Sequence, residues 1–175
     1  MFKRVLPLIA LITLLAPTLA MADGPINLSL FAPIQIVKED QSVTAFRFSL
    51  IYGKNASMTG LDWSLVGVNT GDFLGWSATG VGMVDGSFTG FQNSVLAAIT
   101  EGNMQGVQTG AYTKSGAGSS GVQFGIYNTA SDFSGLQFGI VNVAEVMRSG
   151  LQIGLINIIK NKEKLKLFPF VNWRF

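Results

Sequence analysis

The sequence contains neither cysteine nor histidine, and each absence excludes a class of site. Without histidine the Ser-His-Asp and Cys-His arrangements cannot be assembled, because both need an imidazole as general base. Without either residue a structural zinc site loses its usual ligands, and no disulfide can staple the fold. We therefore expect a protein that is not an enzyme, with no catalytic, cofactor-binding or metal-binding residues.

Charge is scarce as well. Charged residues make up 13% of the 175 residues, about half the usual share, with 12 basic against 10 acidic side chains. Two of the basic residues, Lys3 and Arg4, stand at the extreme N-terminus, so ten remain if that end is removed. The rest of the chain would then be neutral, which does not favour a nucleic-acid partner.

The N-terminus has the three parts of a secretory signal peptide. The two basic residues precede an apolar run over residues 5–16, and Ala20-x-Ala22 fits a signal-peptidase site. The apolar run is too short for a membrane-spanning helix, which needs ~20 residues. We predict that residues 1–22 are cleaved near Ala22, leaving a single β-repeat domain over residues 23–175.

A unit of about fifteen residues repeats along the chain. Its clearest copies are Gly-Val-Gln-Phe-Gly-Ile-Tyr-Asn at 121–128, Gly-Leu-Gln-Phe-Gly-Ile-Val-Asn at 135–142 and Gly-Leu-Gln-Ile-Gly-Leu-Ile-Asn at 150–157. The lead position of the unit is occupied in turn by Ala45, Gly60, Gly75, Gly90, Gly106, Gly121, Gly135 and Gly150. A fixed period of this kind is typical of repeat architectures.

Within each unit, apolar residues alternate with small or polar ones, which predicts strands. One face of a strand would carry Leu136, Phe138 and Ile140, and the other Gly135, Gln137 and Gly139. Asp85-Gly86 between two units is a hairpin signal. With an atypical first strand over 26–37, interrupted by Pro33, and a last one over 165–175, we count about ten short strands and no helix.

Two all-β architectures fit this pattern, and the main expectation is an antiparallel outer-membrane β-barrel with one strand per repeat. The even strand count, the export signal and the low charge favour it. So does the chain end, where Val171, Trp173 and Phe175 alternate as in the assembly signal of outer-membrane barrels. Glycine and glutamine would then fill a narrow lumen.

The alternative is a β-solenoid with one coil per repeat. It explains the strict period and the recurring glutamine more simply. It also avoids a difficulty of the barrel, since the apolar face from Leu136 to Ile140 covers about half of the ~25 Å band that a barrel needs.

These units, with the ending Phe168-Pro-Phe-Val-Asn-Trp-Arg-Phe175, resemble a family of bacterial surface-repeat proteins with reiterated Gly-Leu-Gln-x-Gly-Leu-x-Asn. The likeness covers residues 45–175; it is clear in the last three copies and degenerate in the earlier ones. The resemblance implies an outer-membrane or cell-surface location. It brings no catalytic residues.

We therefore expect an exported outer-membrane or cell-surface protein with a structural or interaction role. Val171, Trp173 and Phe175 would be recognised by the barrel-assembly machinery. A basic turn would contact lipopolysaccharide phosphates, or else be an ordinary solvated loop, through Lys160, Lys162, Lys164 and Lys166. The alternative function is a secreted β-solenoid that binds or adheres through a flat Gly/Gln face.

Some features have a structural interpretation. Gly116-Ala-Gly118-Ser-Ser-Gly121 matches a dinucleotide-binding pattern but lacks the helix after it, so we interpret it as a turn. We expect Asp62 to be a satisfied structural carboxylate and the glutamines to bond to one another. The recurring Phe73, Phe88 and Phe133 would either join an interfacial girdle or pack over glycines of neighbouring strands.

Overall fold

A computed structural model describes residues 23–175, so the predicted signal peptide and its cleavage site lie outside the described residues. All nine strands belong to one sheet. They are β1 (Gly24–Phe31), β2 (Ile34–Gln35), β3 (Val43–Asn55), β4 (Met58–Asn69), β5 (Phe73–Val84), β6 (Phe88–Thr100), β7 (Met104–Ser115), β8 (Ser119–Ile159) and β9 (Leu167–Arg174). In the described part of the chain, no helix is long and apolar enough to cross a membrane.

The repeats stack in parallel, each position on the same position of the next repeat. Gly60 pairs with Gly75, Gly75 with Gly90, and the series continues through Gly106 to Gly121. Strand β8 bends continuously through three repeats, so β3 to β7 and the three parts of β8 make eight layers. The chain is thus an all-β solenoid of about seven turns.

The expectation of an antiparallel barrel is therefore wrong, and the alternative is the observed fold. The turn at Asp85-Gly86 is not a hairpin, because it carries the chain from β5 to β6 in the same direction. Parallel stacking at a fixed interval places each residue beside its equivalent in the next repeat. Amide side chains at equivalent positions can therefore form hydrogen bonds from layer to layer. The strands number nine because β8 contains three repeats without a break.

Both ends of the solenoid are covered by strands that depart from the repeat. At the start, β1 pairs in parallel with β3, and the short β2 folds back against β1. At the other end β9 runs antiparallel to the last part of β8. These two ends correspond to the atypical flanking strands predicted over 26–37 and 165–175. Irregular ends of this kind are typical of solenoids.

An apolar column fills one half of the interior. It consists of residues that precede the lead position, together with residues from the opposite wall: Val43, Met58, Phe73, Phe88, Met104, Phe133 and Met147, with Val37, Val84, Ala130, Ala144 and Ile159. The rings of Phe73 and Phe88 stack with centroids 5.0 Å apart. These phenylalanines are core residues, so the interfacial girdle is wrong.

The lead glycines set how closely the layers approach. Gly121 has φ +128°, a conformation that L side chains rarely adopt. A Cβ built there would collide with the carbonyl oxygen of Gly106 in the layer before, and its carbonyl carbon would lie 2.9 Å away. Glycine therefore recurs at this position because a side chain would push neighbouring layers apart.

Candidate functional site

Glutamine forms a ladder through the polar half of the interior. The Nε2 of Gln108 donates to the Oε1 of Gln92 at 2.9 Å, and Gln123 donates to Gln108 at the same distance. Gln137 and Gln152 continue the series with bonds of 2.7 Å each. All five side chains are fully buried. The prediction that the glutamines bond to one another is confirmed.

From Gln108 onward, each ladder glutamine also ties the two walls of its own coil together. The second Nε2 proton is donated to the backbone carbonyl six residues later, which is Lys114 for Gln108, Thr129 for Gln123 and Ile158 for Gln152. A carbonyl oxygen only accepts, so this bond fixes which end of the amide faces it. The glutamine ladder thus links neighbouring layers along the solenoid axis, and it links the two walls of a coil across that axis.

A shorter asparagine ladder runs in the opposite sense. The Nδ2 of Asn128 donates forward to the Oδ1 of Asn142 at 2.8 Å, and Asn142 donates forward to Asn157 at 2.7 Å. The glutamines donate backward to the layer before. The side-chain amide dipoles of the two ladders are therefore opposed in the last three layers, where both ladders run.

The glutamine column begins with an ion pair, because Arg47 and Asp62 occupy the same column in the first two layers. Arg47 also donates to the side chain of Asn69 at 3.0 Å, and Asp62 accepts from the Ser64 hydroxyl at 2.5 Å. The pair is completely buried. The prediction that Asp62 is a satisfied structural carboxylate is confirmed.

The flat Gly/Gln face expected of an adhesion module lies inside the solenoid. The glutamine side chains are fully buried, and the lead glycines pack against the backbone of the layer before, so this face cannot meet a partner. That part of the alternative function is wrong, because a coil closes on the face that a flat strand would leave open.

The apolar face lies outside, where its columns run the length of the solenoid. One column begins at Ile26, continues through Phe46, Leu61 and Trp76, and ends where Trp173 covers Leu151. We call this surface the apolar wedge; its large exposed members in the eight layers are Phe48, Leu50, Ile51, Leu61, Trp63, Leu65, Trp76, Phe91, Val95, Leu96, Phe124, Ile126, Tyr127, Phe138, Ile140, Leu155 and Ile156.

The wedge continues around a corner of the coil. Val95 and Leu96 are consecutive, yet 74% and 61% of their surfaces are exposed. Two neighbours in a flat strand point to opposite faces, so the chain must turn between them. The corresponding pairs Leu50-Ile51 and Leu155-Ile156 are exposed in the same way. The wedge is therefore convex and covers two walls of the solenoid.

The exposed charged side chains lie in or beside the turns between layers and at the two ends. Each layer has a charged residue in or beside its closing turn, and together we call them the turn belt: Lys54, Asp72, Asp85, Glu101, Lys114, Asp132, Glu145 and Lys160. Arg148 lies beside this belt and pairs with Asp132. In residues 43–157 the wedge segments of the repeats hold two charged residues, Arg47 and Asp62, and both point inward. The exposed wedge of these eight layers thus carries no charge.

Ion pairs link charged residues of neighbouring layers along the turn belt. Lys114 pairs with Glu101 at 2.7 Å and Lys54 with Glu39 at 3.2 Å. The hydrogen bond that Lys54 donates to Glu39, together with the negative charge of Glu39, raises the pKa of Lys54 above its usual 10.5. Pairs as exposed as these contribute little stability. They mark the side of the solenoid that faces water.

A shallow groove crosses the middle of the wedge where side chains are small. It is bounded by Phe124 and Phe138 and has a volume of about 680 Å³. On its floor the hydroxyl of Thr109 donates to the Oδ1 of Asn93 at 2.7 Å. These two polar residues interrupt the apolar surface of the wedge. The bond between them satisfies one hydrogen-bonding group of each side chain.

The four lysines of the predicted lipopolysaccharide-contacting turn lie in and beside the loop between β8 and β9. Lys160 pairs with Glu145 at 2.6 Å, and Lys162 donates to Asn172 at 2.8 Å while lying over the ring of Trp173. Lys164 and Lys166 are exposed. The loop covers the C-terminal end of the solenoid, and the predicted contact with lipopolysaccharide stays a prediction.

The residues of the predicted assembly signal belong to the last layer of the wedge. Trp173 covers Leu151 and Val171 covers Ile153, so both point outward as alternation requires. Phe175 follows them and is exposed. Their recognition by the barrel-assembly machinery was inferred from a barrel, and the solenoid instead makes them an extension of its apolar surface.

The remaining chemistry of the described residues is sparse. Gly116 to Gly118 form the turn into β8, and Gly121 lies within that strand, as expected for a pattern without a helix. Among residues 23–175 no group of three or more acidic, cysteine or histidine side chains could hold a metal ion. The candidate site is therefore a surface, the apolar wedge.

Comparisons with protein-family models, curated proteins and solved structures return no match.

Proposed function

We propose that this chain is an exported, non-enzymatic repeat protein of the bacterial outer membrane or cell surface, with a structural or interaction role carried by the apolar wedge. The observation that supports it is the partition of side chains. Uncharged amides lie inside, and large apolar residues lie on two outer walls. Contiguous apolar surface of this extent is rare on monomeric soluble proteins and marks interaction sites. The export signal of residues 1–22 supports the location.

Fractionation of cells that produce the full chain tests this proposal. We expect the protein in the envelope fraction, shortened by the 22 leader residues, and accessible to protease added to cells whose outer membrane is permeabilised. A matched variant without residues 2–22 should stay in the cytoplasm. Full-length protein that remains soluble in the cytoplasm would contradict the proposal.

Lipopolysaccharide is the partner that we propose for the C-terminal loop. Its four lysines have two acidic neighbours, Glu163 in the loop and Glu145, which pairs with Lys160. Ammonium groups near an anionic membrane surface contribute about 1 kcal/mol each. Replacement of Lys160, Lys162, Lys164 and Lys166 by glutamine should weaken binding to lipopolysaccharide vesicles at low salt. Binding unchanged by all four substitutions would remove this role of the loop.

A secreted binding or adhesion module remains the second candidate, because the β-solenoid that it requires is the observed fold. It would have to use the wedge, since the glutamines are internal. A protein that is exported but released into the medium, without membrane association, would favour this candidate.

A further inference from the structure

We propose that the apolar wedge is embedded in one leaflet of a lipid bilayer, with the solenoid axis in the membrane plane and the turn belt in water. The inference rests on the proposed envelope function and names the occupant of its surface. It is carried by the shape of the wedge and by where the charges lie around and along the solenoid.

The turn belt decides the orientation. It places a charged side chain in every one of the eight layers, from Lys54 in the first to Lys160 in the last. If the axis stood upright in the membrane, most of these charges would lie in hydrocarbon, where they are strongly disfavoured. The wedge is also too long for that orientation. From β1 to β9 it spans nine layer spacings, about 43 Å, against a hydrocarbon core of ~30 Å.

With the axis lying flat, every layer has the same relation to the membrane. The corner formed by Val95-Leu96 and its equivalents points into the acyl chains, and the turns point away from them. Amphipathic helices lie in the interface in the same way, with the apolar side ~5–10 Å deep. The eight layers likewise give the solenoid an apolar side, the wedge, and a charged side, the turn belt.

The convex shape favours lipid over a second copy of the chain. A rigid partner of the same shape would cover one wall and leave the other wall, beyond Leu96, in water. Acyl chains are fluid and cover both walls of a corner.

The three tryptophans make the test direct, because Trp63, Trp76 and Trp173 all lie on the wedge. Vesicles of phosphatidylethanolamine and phosphatidylglycerol should shift their fluorescence to shorter wavelength, and lipids brominated on the acyl chains should quench it. No shift and no quenching, for a protein that fractionation finds in the envelope, would overturn the inference while leaving the proposed function standing.

Single-tryptophan variants test the orientation. Trp76 and Trp173 lie in the same column of the wedge, six layer spacings apart, or about 29 Å along the axis. Their depths, measured with lipids brominated at shallow and deep positions, should agree within a few ångströms if the axis lies flat. Depths that differ by most of a bilayer thickness would overturn this orientation.

A matched pair of variants in one layer tests the surface. Val95→Glu places a charge on the corner of the wedge, whereas Thr89→Glu places it on an exposed site outside the wedge. We expect vesicle partitioning to fall at least tenfold for Val95→Glu and less than twofold for Thr89→Glu. Ile126→Glu repeats the test in another layer. Equal partitioning of all three variants, or a wild-type dimer in solution that Val95→Glu dissociates, would overturn the inference.

Discussion

The Arg47 guanidinium holds the Asp62 carboxylate at two points, Nε to Oδ1 at 2.9 Å and Nη2 to Oδ2 at 2.7 Å, inside the first two layers of the solenoid. The same column continues as glutamine from the fourth layer onward. The ion pair is thus the charged start of the ladder, and a fully buried charge of this kind is tolerated because its partner lies one layer away.

Removal of one charge of this pair should be costly. Asp62→Asn leaves the Arg47 guanidinium buried and uncompensated, and we expect it to lower the free energy of unfolding in urea by ~3–5 kcal/mol. The double variant Arg47→Gln/Asp62→Gln, which introduces the residue of the later layers, should be more stable than Asp62→Asn alone. As a control, Lys114→Gln breaks an exposed pair and should change stability by under ~1 kcal/mol. A double variant no better than the single one would contradict this account.

Substitutions in the glutamine ladder should depend on position. Gln123 donates to Gln108, Ser115 and the backbone, and it accepts from Gln137. Gln152 is the last glutamine of the ladder and its Oε1 has no partner in the described structure. Gln123→Leu strands amide groups on both sides, and each buried unpaired group costs ~1–3 kcal/mol. We expect Gln123→Leu to lower the urea midpoint more than Gln152→Leu; equal effects would mean that the ladder bonds do not act from layer to layer.

The lead glycines should tolerate no side chain. In Gly121→Ala the new methyl group would meet the backbone of Gly106, and the backbone conformation is strained as well. Gly118 also has positive φ, +77°, but its nearest neighbour would be the Asn103 amide at 3.6 Å. We expect Gly118→Ala to cost about 1 kcal/mol from strain alone and Gly121→Ala clearly more. Thermal and urea unfolding of both variants measure the difference.

The alternation of apolar and polar residues predicted correctly which side chains face inward. The side chain of Gln137 is inside, whereas those of Phe138 and Ile140 are outside. This assignment is the same for a barrel and for a solenoid, since a period of two records the faces of a strand and not the direction of its neighbour. The barrel was wrong for that reason.

The corner was the signal that sequence reasoning missed. Val95-Leu96 and Leu155-Ile156 break the alternation with two apolar neighbours in the middle of each unit. A straight barrel strand would bury one of each pair in its lumen, whereas a coil exposes both at a bend. These apolar pairs, together with the position of every exposed charge in or beside a turn or at an end, are the sequence features that indicate the wedge.

The division between buried core residues and exposed wedge residues can be tested within a single layer. Phe88 is fully buried against Phe73, whereas Phe91, three residues later, lies on the wedge. Phe88→Ala should lower the free energy of unfolding by ~3–5 kcal/mol, because it leaves a cavity between stacked layers. Phe91→Ala removes a ring that is 39% exposed and lies 6.4 Å from the Trp76 ring, so it should lower stability clearly less than Phe88→Ala, while it weakens partitioning into vesicles. Urea unfolding in the absence of lipid separates the two effects. If Phe91→Ala proved as destabilising as Phe88→Ala without lipid, the wedge would be part of a packed protein interface and not a surface that acyl chains cover.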